Sequence, residues 1–253
     1  MAKMAGKPRR KNVRIRFKGL SLLAAAGITT LLFTGVAAAS SMGQGPGGMG
    51  QTTATTMMQP GTGPGPSHMF TDVATADWFA QHAENMATHG FMNGFADGTF
   101  GPQLPITRGH FALILGRMMN VQPVSGTTFT DTQGFWGADI VEAMARMGII
   151  AGHADGTFGP YGSITREQMA AIMDRAWESM HGTATTVDTA SAMAAMMQLV
   201  HDTSGSWAAP QIARMMQMGV FQGANGMFHP TDTATRAQAA AVMWRWYAAG
   251  QAQ

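Results

Sequence analysis

The chain has 253 residues, 45% hydrophobic and only 12% charged, with 24 methionines, 32 glycines and no cysteine. Its formal charge of +2 hides an asymmetry: Lys3, Lys7, Arg9, Arg10, Lys11, Arg14, Arg16 and Lys18 are half of the 16 basic residues, whereas from residue 40 onward eight arginines face 14 acidic residues, a net of −6. That balance excludes sequence-independent nucleic-acid binding, which needs clustered cations against phosphates, and the missing cysteines exclude both a disulfide framework and a lipidated cysteine.

The basic stretch is followed by an apolar segment, Leu20 to Ala39, ending in Ala37-Ala38-Ala39 before Ser40. A cationic region, an apolar region and small residues at an A-x-A site predict a signal peptide over residues 1–39. About 20 apolar residues also suffice to span a bilayer, so a membrane partner follows only if the segment stays uncleaved. Arg9-Arg10 lacks the surroundings of a twin-arginine signal, which favours the general secretion route. Residues 40–69 are Gly, Pro, Thr, Gln, Ser and Met apart from Ala54 and His68, without charge up to His68. Such composition predicts a disordered linker. Its methionines Met42, Met49, Met57 and Met58, with His68 and Met69, carry an alternative function, an exported soft-metal (copper) binding protein, since thioethers favour Cu(I).

Three internal repeats come next, over 70–120, 129–180 and 200–249. They open on Phe70-Thr71-Asp72, Phe129-Thr130-Asp131 and Val200-His201-Asp202. Trp78, Trp136 and Trp207 each precede a glycine by twelve residues (Gly90, Gly148, Gly219). Gly94 to Pro102 and Gly152 to Pro160 share the pattern Gly-x-Ala-Asp-Gly-Thr-Phe-Gly-Pro, whereas the third copy, Gly223 to Pro230, is one residue shorter and carries Asn225 for the aspartate. Thr107-Arg108, Thr165-Arg166 and Thr235-Arg236 follow, and nine residues after each arginine stands another: Arg117, Arg175 and Arg245.

Each unit reads as helix, turn, helix. The first helix is predicted from near the Trp to the Gly, which suits the left-handed position after a helix end. The second begins at the Thr and shows apolar residues at helical spacing: Phe111, Ile114, Leu115, Met118; then Met169, Ile172, Met173, Ala176; then Ala239, Val242, Met243, Trp246. These stripes are core, with methionine filling irregular space. Half of the connection Thr183 to Leu199 is Ala/Met-rich and predicts an extra helix. A unit of about 50 residues cannot bury its apolar face alone, so the copies pack on one another. The fold class is therefore mostly all-α.

Asp97 and Asp155 lack the alternating oxygen ligands and distal Glu of a calcium loop. Asp-Gly there is a turn in which Gly takes positive φ, and Phe100, Phe158 and Phe228 plug the core behind it. Thr107, Thr165 and Thr235 sit where a helix cap belongs, and Gln168 and Gln238 complete capping boxes. The arginine between them is unexplained by capping, because a cation in a first helical turn opposes the helix dipole. It calls for a negative group, either a neighbouring carboxylate or an anionic ligand held with the exposed N–H groups.

Together, Phe-x-Asp, the Trp, Gly-x-x-Asp-Gly-Thr-Phe-x-Pro and Ile-Thr-Arg resemble the S-layer homology (SLH) domain, in three tandem copies over residues 70–247. The resemblance implies a pseudo-three-fold helical bundle with grooves between neighbouring copies. It implies secretion to the cell surface and non-covalent attachment to a cell-wall polysaccharide carrying pyruvate ketals, or to modified peptidoglycan. The family's Thr-Arg-Ala-Glu motif maps its ligand-binding arginines onto Arg108, Arg166 and Arg236, beside Thr107, Thr165 and Thr235. Asp97 and Asp155 of the turns join this candidate set, and Trp78, Trp136 and Trp207 are either groove walls for sugar rings or core anchors. The motif departs from the family: Thr107-Arg108-Gly109-His110, Thr165-Arg166-Glu167-Gln168 and Thr235-Arg236-Ala237-Gln238 all lack the fourth-position acid. With Asn225 and the shorter turn, this makes copies one and two the expected binders and copy three partly a packing unit. Truncating Arg108 and Arg166 is expected to weaken wall binding with little loss of fold.

No Gly-x-Ser-x-Gly, His-Glu-x-x-His or phosphate loop is present, and the carboxylates recur with the repeat, so the chain reads as a non-enzyme without a cofactor. A small structural component of a surface layer, with surface-layer protein partners, is a further alternative.

Overall fold

The computed structural model describes residues 69–182 and 188–252. The expected signal peptide, nearly all of the expected linker with its soft-metal alternative, and residues 183–187 of the long connection lie outside the described residues. The described chain is helical: α1 (Ala80–Thr88), α2 (Arg108–Met118), α3 (Ala138–Arg146), α4 (Arg166–His181), α5 (Thr189–Leu199), α6 (Ala209–Gln217) and α7 (Arg236–Gln251). None of these helices is long and apolar enough to cross a membrane.

The punctuation of the repeats explains these boundaries. Helices α1, α3 and α6 end two residues before Gly90, Gly148 and Gly219, whose φ values of 69°, 75° and 72° are left-handed. Helices α2, α4 and α7 start behind Thr107, Thr165 and Thr235, whose hydroxyls accept from the backbone N–H of His110, Gln168 and Gln238 at 3.2, 3.3 and 3.2 Å. Gln168 and Gln238 return the bond to the threonine N–H at 3.1 Å. Each such cap is worth about 1 kcal/mol.

The helices of one repeat do not pair mainly with each other. The close pairs are α2 with α3, α4 with α6, and α7 with α1, so the second helix of each repeat packs on the first helix of the next and the third repeat closes back on the first. A ring of main-chain hydrogen bonds marks the pseudo-three-fold axis. Ile106 N–H donates to Ala234 O (3.0 Å), Ala234 N–H to Ile164 O (2.9 Å) and Ile164 N–H to Ile106 O (3.1 Å). Only isolated bridges form there, with no strand among the described residues.

Around this axis Phe100, Phe158 and Phe228 are fully buried, as is the predicted stripe of each second helix. Met86, Met144, Met173, Met215 and Met243 are also buried, consistent with methionine as packing material. Trp177 of α4 meets Trp246 of α7 edge to face at 5.8 Å, and the Trp246 indole N–H donates to Met173 O at 3.2 Å.

The seams share one design but differ in chemistry. Between repeats 1 and 2, Gly109 lets the Phe135 ring and Pro160 O approach so closely that a Cβ would stand 2.6 and 2.7 Å from them. Between repeats 2 and 3 the same helical position holds buried Glu167, which accepts from Ser206 Oγ at 2.6 Å. Helix α5 is the predicted extra helix, capped by Asp188 accepting from Ser191 N–H at 2.8 Å and packed on α6. Arg214 of α6 fixes it, donating to both Asp174 oxygens on α4 and, at 3.0 Å, to Thr189 Oγ1.

Candidate functional site

The three motif arginines point into the neighbouring repeat. Arg108 Nε donates to Phe158 O at 2.9 Å and Nη2 to Ala151 O at 3.4 Å, with the guanidinium 4.8 Å above the Phe158 ring. Arg166 repeats this on Phe228 O (2.7 Å) and Gln222 O (3.1 Å), 4.6 Å over the Phe228 ring. Arg236 closes the cycle on Phe100 O (2.8 Å) and Asn93 O (2.9 Å), over the rings of Phe95 and Phe100. Their own N–H groups donate to Gly162, Asp232 and Leu104 carbonyls, which fixes the helix starts on the same loops. Burial holds all three guanidiniums below their ordinary pKa, opposed by Asp131 for Arg108, Asp232 and Asp202 for Arg166, and Asp72 for Arg236.

These carboxylates are the neighbouring negative groups of the first sequence alternative, and three of them, Asp131, Asp72 and Asp202, reach the arginines through the main chain. Asp131 accepts from Phe158 N–H at 2.7 Å and Gly159 N–H at 2.7 Å, while the carbonyl of the same Phe158 accepts from Arg108. Asp72 does so for Phe100 and Gly101, and Asp202 for Phe228 and His229. Arginine and aspartate thus bind opposite ends of one residue's main chain, and the peptide dipoles between them are polarised by both. Arg108 is only 7% exposed, so it ties the seam as well as facing it.

Asp97 and Asp155 are exposed and bind within their own turns: Oδ1 accepts from the Thr99 hydroxyl at 2.7 Å and its N–H at 2.9 Å, and from those of Thr157 at 2.6 and 3.0 Å. These bonds, the hydroxyl first, hold both carboxyls below their usual range. The third turn is short but complete. Ala224 and Met227 exchange two main-chain bonds of 2.9 Å, and Asn225 and Gly226 take φ of 53° and 75°, the two left-handed positions of a type I′ hairpin turn.

The repeated tryptophans are not core anchors: Trp78, Trp136 and Trp207 are 60%, 63% and 57% exposed, and Phe79 and Phe135 beside them enter the core. Trp78 lines a groove of about 400 Å³ with Arg166, Arg245, Gln238 and the third-repeat turn from Gln222 to His229, so one groove draws on all three repeats. Trp136 stands over His110, ring centroids 5.8 Å apart. Trp207 borders a different hollow of about 470 Å³ with Glu167, Ser206, Asp202 and Asp232. Copy three, read from sequence as partly a packing unit, supplies the floor of the Trp78 groove.

Arg245 is the groove residue that sequence reasoning passed over. Its guanidinium is half-buried, lowered in pKa by that burial, with no carboxylate in ion-pair range among the described residues. The signal was present, since the nine-residue offset from Arg236 recurs in every copy, but it served only to align the repeats. Among the described residues no group of three or more His, Asp or Glu side chains is placed to hold a metal ion.

The model of the S-layer homology domain matches residues 70–112, 128–170 and 201–240. The chain is 25% identical over 176 residues to an S-layer protein of Bacillus licheniformis, covering 68% of this chain and 19% of the relative. It is 31% identical over 116 residues to the cellulosome-anchoring protein of Acetivibrio thermocellus (43% and 26%) and 30% identical over 171 residues to an amylopullulanase of Thermoanaerobacterium thermosulfurigenes (66% and 9%). The chain spans only about a tenth to a quarter of the length of these relatives. With three family matches falling on three repeats that share one set of caps, clamps and ties, the chain belongs to the S-layer homology domain family.

Proposed function

We propose that the chain is a non-catalytic cell-surface anchor whose grooves hold an anionic cell-wall glycan, a pyruvylated polysaccharide or modified peptidoglycan. The observation that carries this reading is the groove lined by an exposed indole, Trp78, and two guanidiniums, Arg166 and Arg245, against the carboxylate of Asp232. An aromatic face suits the apolar side of a sugar ring, and a guanidinium fork suits a carboxylate. Arg166 spends Nε and Nη2 on main-chain carbonyls, so Nη1 is the part of its fork left to meet a ligand, and Arg245 meets it from α7. The names of the relatives, a cellulosome-anchoring protein and an S-layer protein among them, support surface attachment. The amylopullulanase matches over 9% of its length, which supports an attachment module separable from catalysis.

Co-sedimentation of the purified chain with isolated cell-wall sacculi, before and after chemical removal of the wall-linked polysaccharide and its ketals, tests this. Binding lost on stripping is the expected result. Binding that survives stripping assigns the peptidoglycan as ligand, and no binding to either preparation refutes the reading.

A further inference from the structure

His110 stands at the third helical position of the first motif, where the other repeats have Gln168 and Gln238. Its Nδ1 lies 3.1 Å from Thr107 Oγ1, and its ring is 5.8 Å from the exposed Trp136 indole. Gln238 at the same position lines the groove with Trp78, Arg166 and Arg245. The pseudo-three-fold relation carries that groove onto the seam of repeats 1 and 2, with Trp136, Arg236 and Arg117 in the corresponding places and His110 in the wall. The charges of the surrounding elements are Arg108 and Arg117 on its own helix, Arg236 and Arg245 on α7 with Asp72 opposing Arg236, and Asp139, Glu142 and Arg146 on α3, the last two bonded to each other at 2.7 Å. Asp97 of the first turn is taken up by Thr99.

We propose that His110 is a ligand-contacting residue of this groove and that its protonation raises the groove's affinity for a carboxylate-bearing glycan. The proposal rests on the anchoring function. Burial first, then Arg236 and Arg117, hold the imidazole below its ordinary value of 6.5, so at neutral pH the groove has two positive charges and withholds a third. A ketal carboxylate stays ionised down to about pH 4, so the ligand keeps its charge while His110 gains one. By linkage, the bound carboxylate raises the pKa of His110 as much as His110 protonation tightens binding. Affinity therefore climbs as pH falls from the value His110 has in the complex to its lower value in the free groove, and is level on either side. One added charge a few ångströms from a partly solvated carboxylate gives roughly a threefold to tenfold gain.

The test is calorimetric titration of the whole chain and of His110→Gln with a 4,6-O-carboxyethylidene hexoside at pH 7.5 and 5.0, with NMR titration of the His110 ring in the presence and absence of that probe. The variant keeps the fold because Gln occupies this position in the other two repeats. Wild type should bind about threefold to tenfold tighter at the lower pH. His110→Gln should keep only the smaller slope due to His229, which lines the Trp78 groove, and the His110 pKa should rise on binding. An equal pH slope in both proteins, or a His110 pKa indifferent to the probe, overturns this proposal alone. A wild-type chain that binds the probe at neither pH overturns the carboxylate-binding function and this proposal with it.

Discussion

Truncating Arg108 tests whether the motif arginine is a structural tie. Arg108→Ala removes the bond to Phe158 O at 2.9 Å, the weaker one to Ala151 O at 3.4 Å and the stacking 4.8 Å over the Phe158 ring. A hydrogen bond from a charged donor contributes about 1.5–3 kcal/mol, and a desolvated cation over a ring about 1–2 kcal/mol. Against these, removing a cation from a helix start returns about 0.3–1 kcal/mol, and the guanidinium no longer has to be desolvated. The balance is a loss of about 2–3 kcal/mol, or about 5–10 °C in Tm for a body of this size. Arg108→Lys keeps the charge without the fork and should recover less than half of that. Thermal melts followed by circular dichroism measure both. A Tm for Arg108→Ala within 1–2 °C of wild type, smaller than about 0.5 kcal/mol, would show that Arg108 does not hold the seam.

Trp78→Ala and Arg245→Ala should separate binding from folding: both should leave Tm nearly unchanged, because neither side chain supports the core, while affinity for sacculi falls about tenfold or more, the loss expected of a charge-assisted contact. Arg214→Ala strands buried Asp174 without its cation and should cost about 3–5 kcal/mol, with faster amide exchange in α5 as the specific mark. Acid should destabilise the chain through carboxyls that the fold depresses. Asp97, Asp155 and Glu142 are held below their ordinary values of 3.8, 3.8 and 4.5, so the stability they confer is complete above those values and is lost as pH falls below them. Melts between neutral and strongly acid pH should show this loss, and a double variant Thr99→Ala, Thr157→Ala should reduce the share due to Asp97 and Asp155, whose hydroxyl bonds it removes, while the share of Glu142, held by Thr128 and Arg146, remains.

Features set by short-range chemistry could be read from the chain. The caps at Thr107, Thr165 and Thr235, the left-handed Gly90, Gly148 and Gly219, and the buried Phe100, Phe158 and Phe228 all follow from residue type at a fixed offset. Long-range choices were hidden. Identical repeats do not say whether a second helix packs on its own first helix or on the next one, because either leaves the same pattern. The partner of each arginine is a main-chain carbonyl, which carries no mark in a sequence, so the helix dipole signals a nearby negative charge but not the tie. The tryptophans fit either reading because their size favours burial, yet in the first two repeats the phenylalanine beside each fills the core position. Arg245 could be seen in the alignment, but only the closed ring brings it opposite Arg166 and Trp78.

The hydrogen-bond cycle through Ile106, Ile164 and Ala234 has a further consequence. A linear array has two outer units with one neighbour each, and melting starts there by fraying. In a ring every unit has two neighbours, like a subunit of a closed cyclic trimer. No unit can then detach without breaking two seams at once, and each of the first two repeats is also tethered by chain on the side it would leave. The Trp78 groove draws on all three units, so a single broken seam disables it while the helices remain intact. Pulled or heated, such a fastener holds fully or releases at once, with no weak end from which to peel.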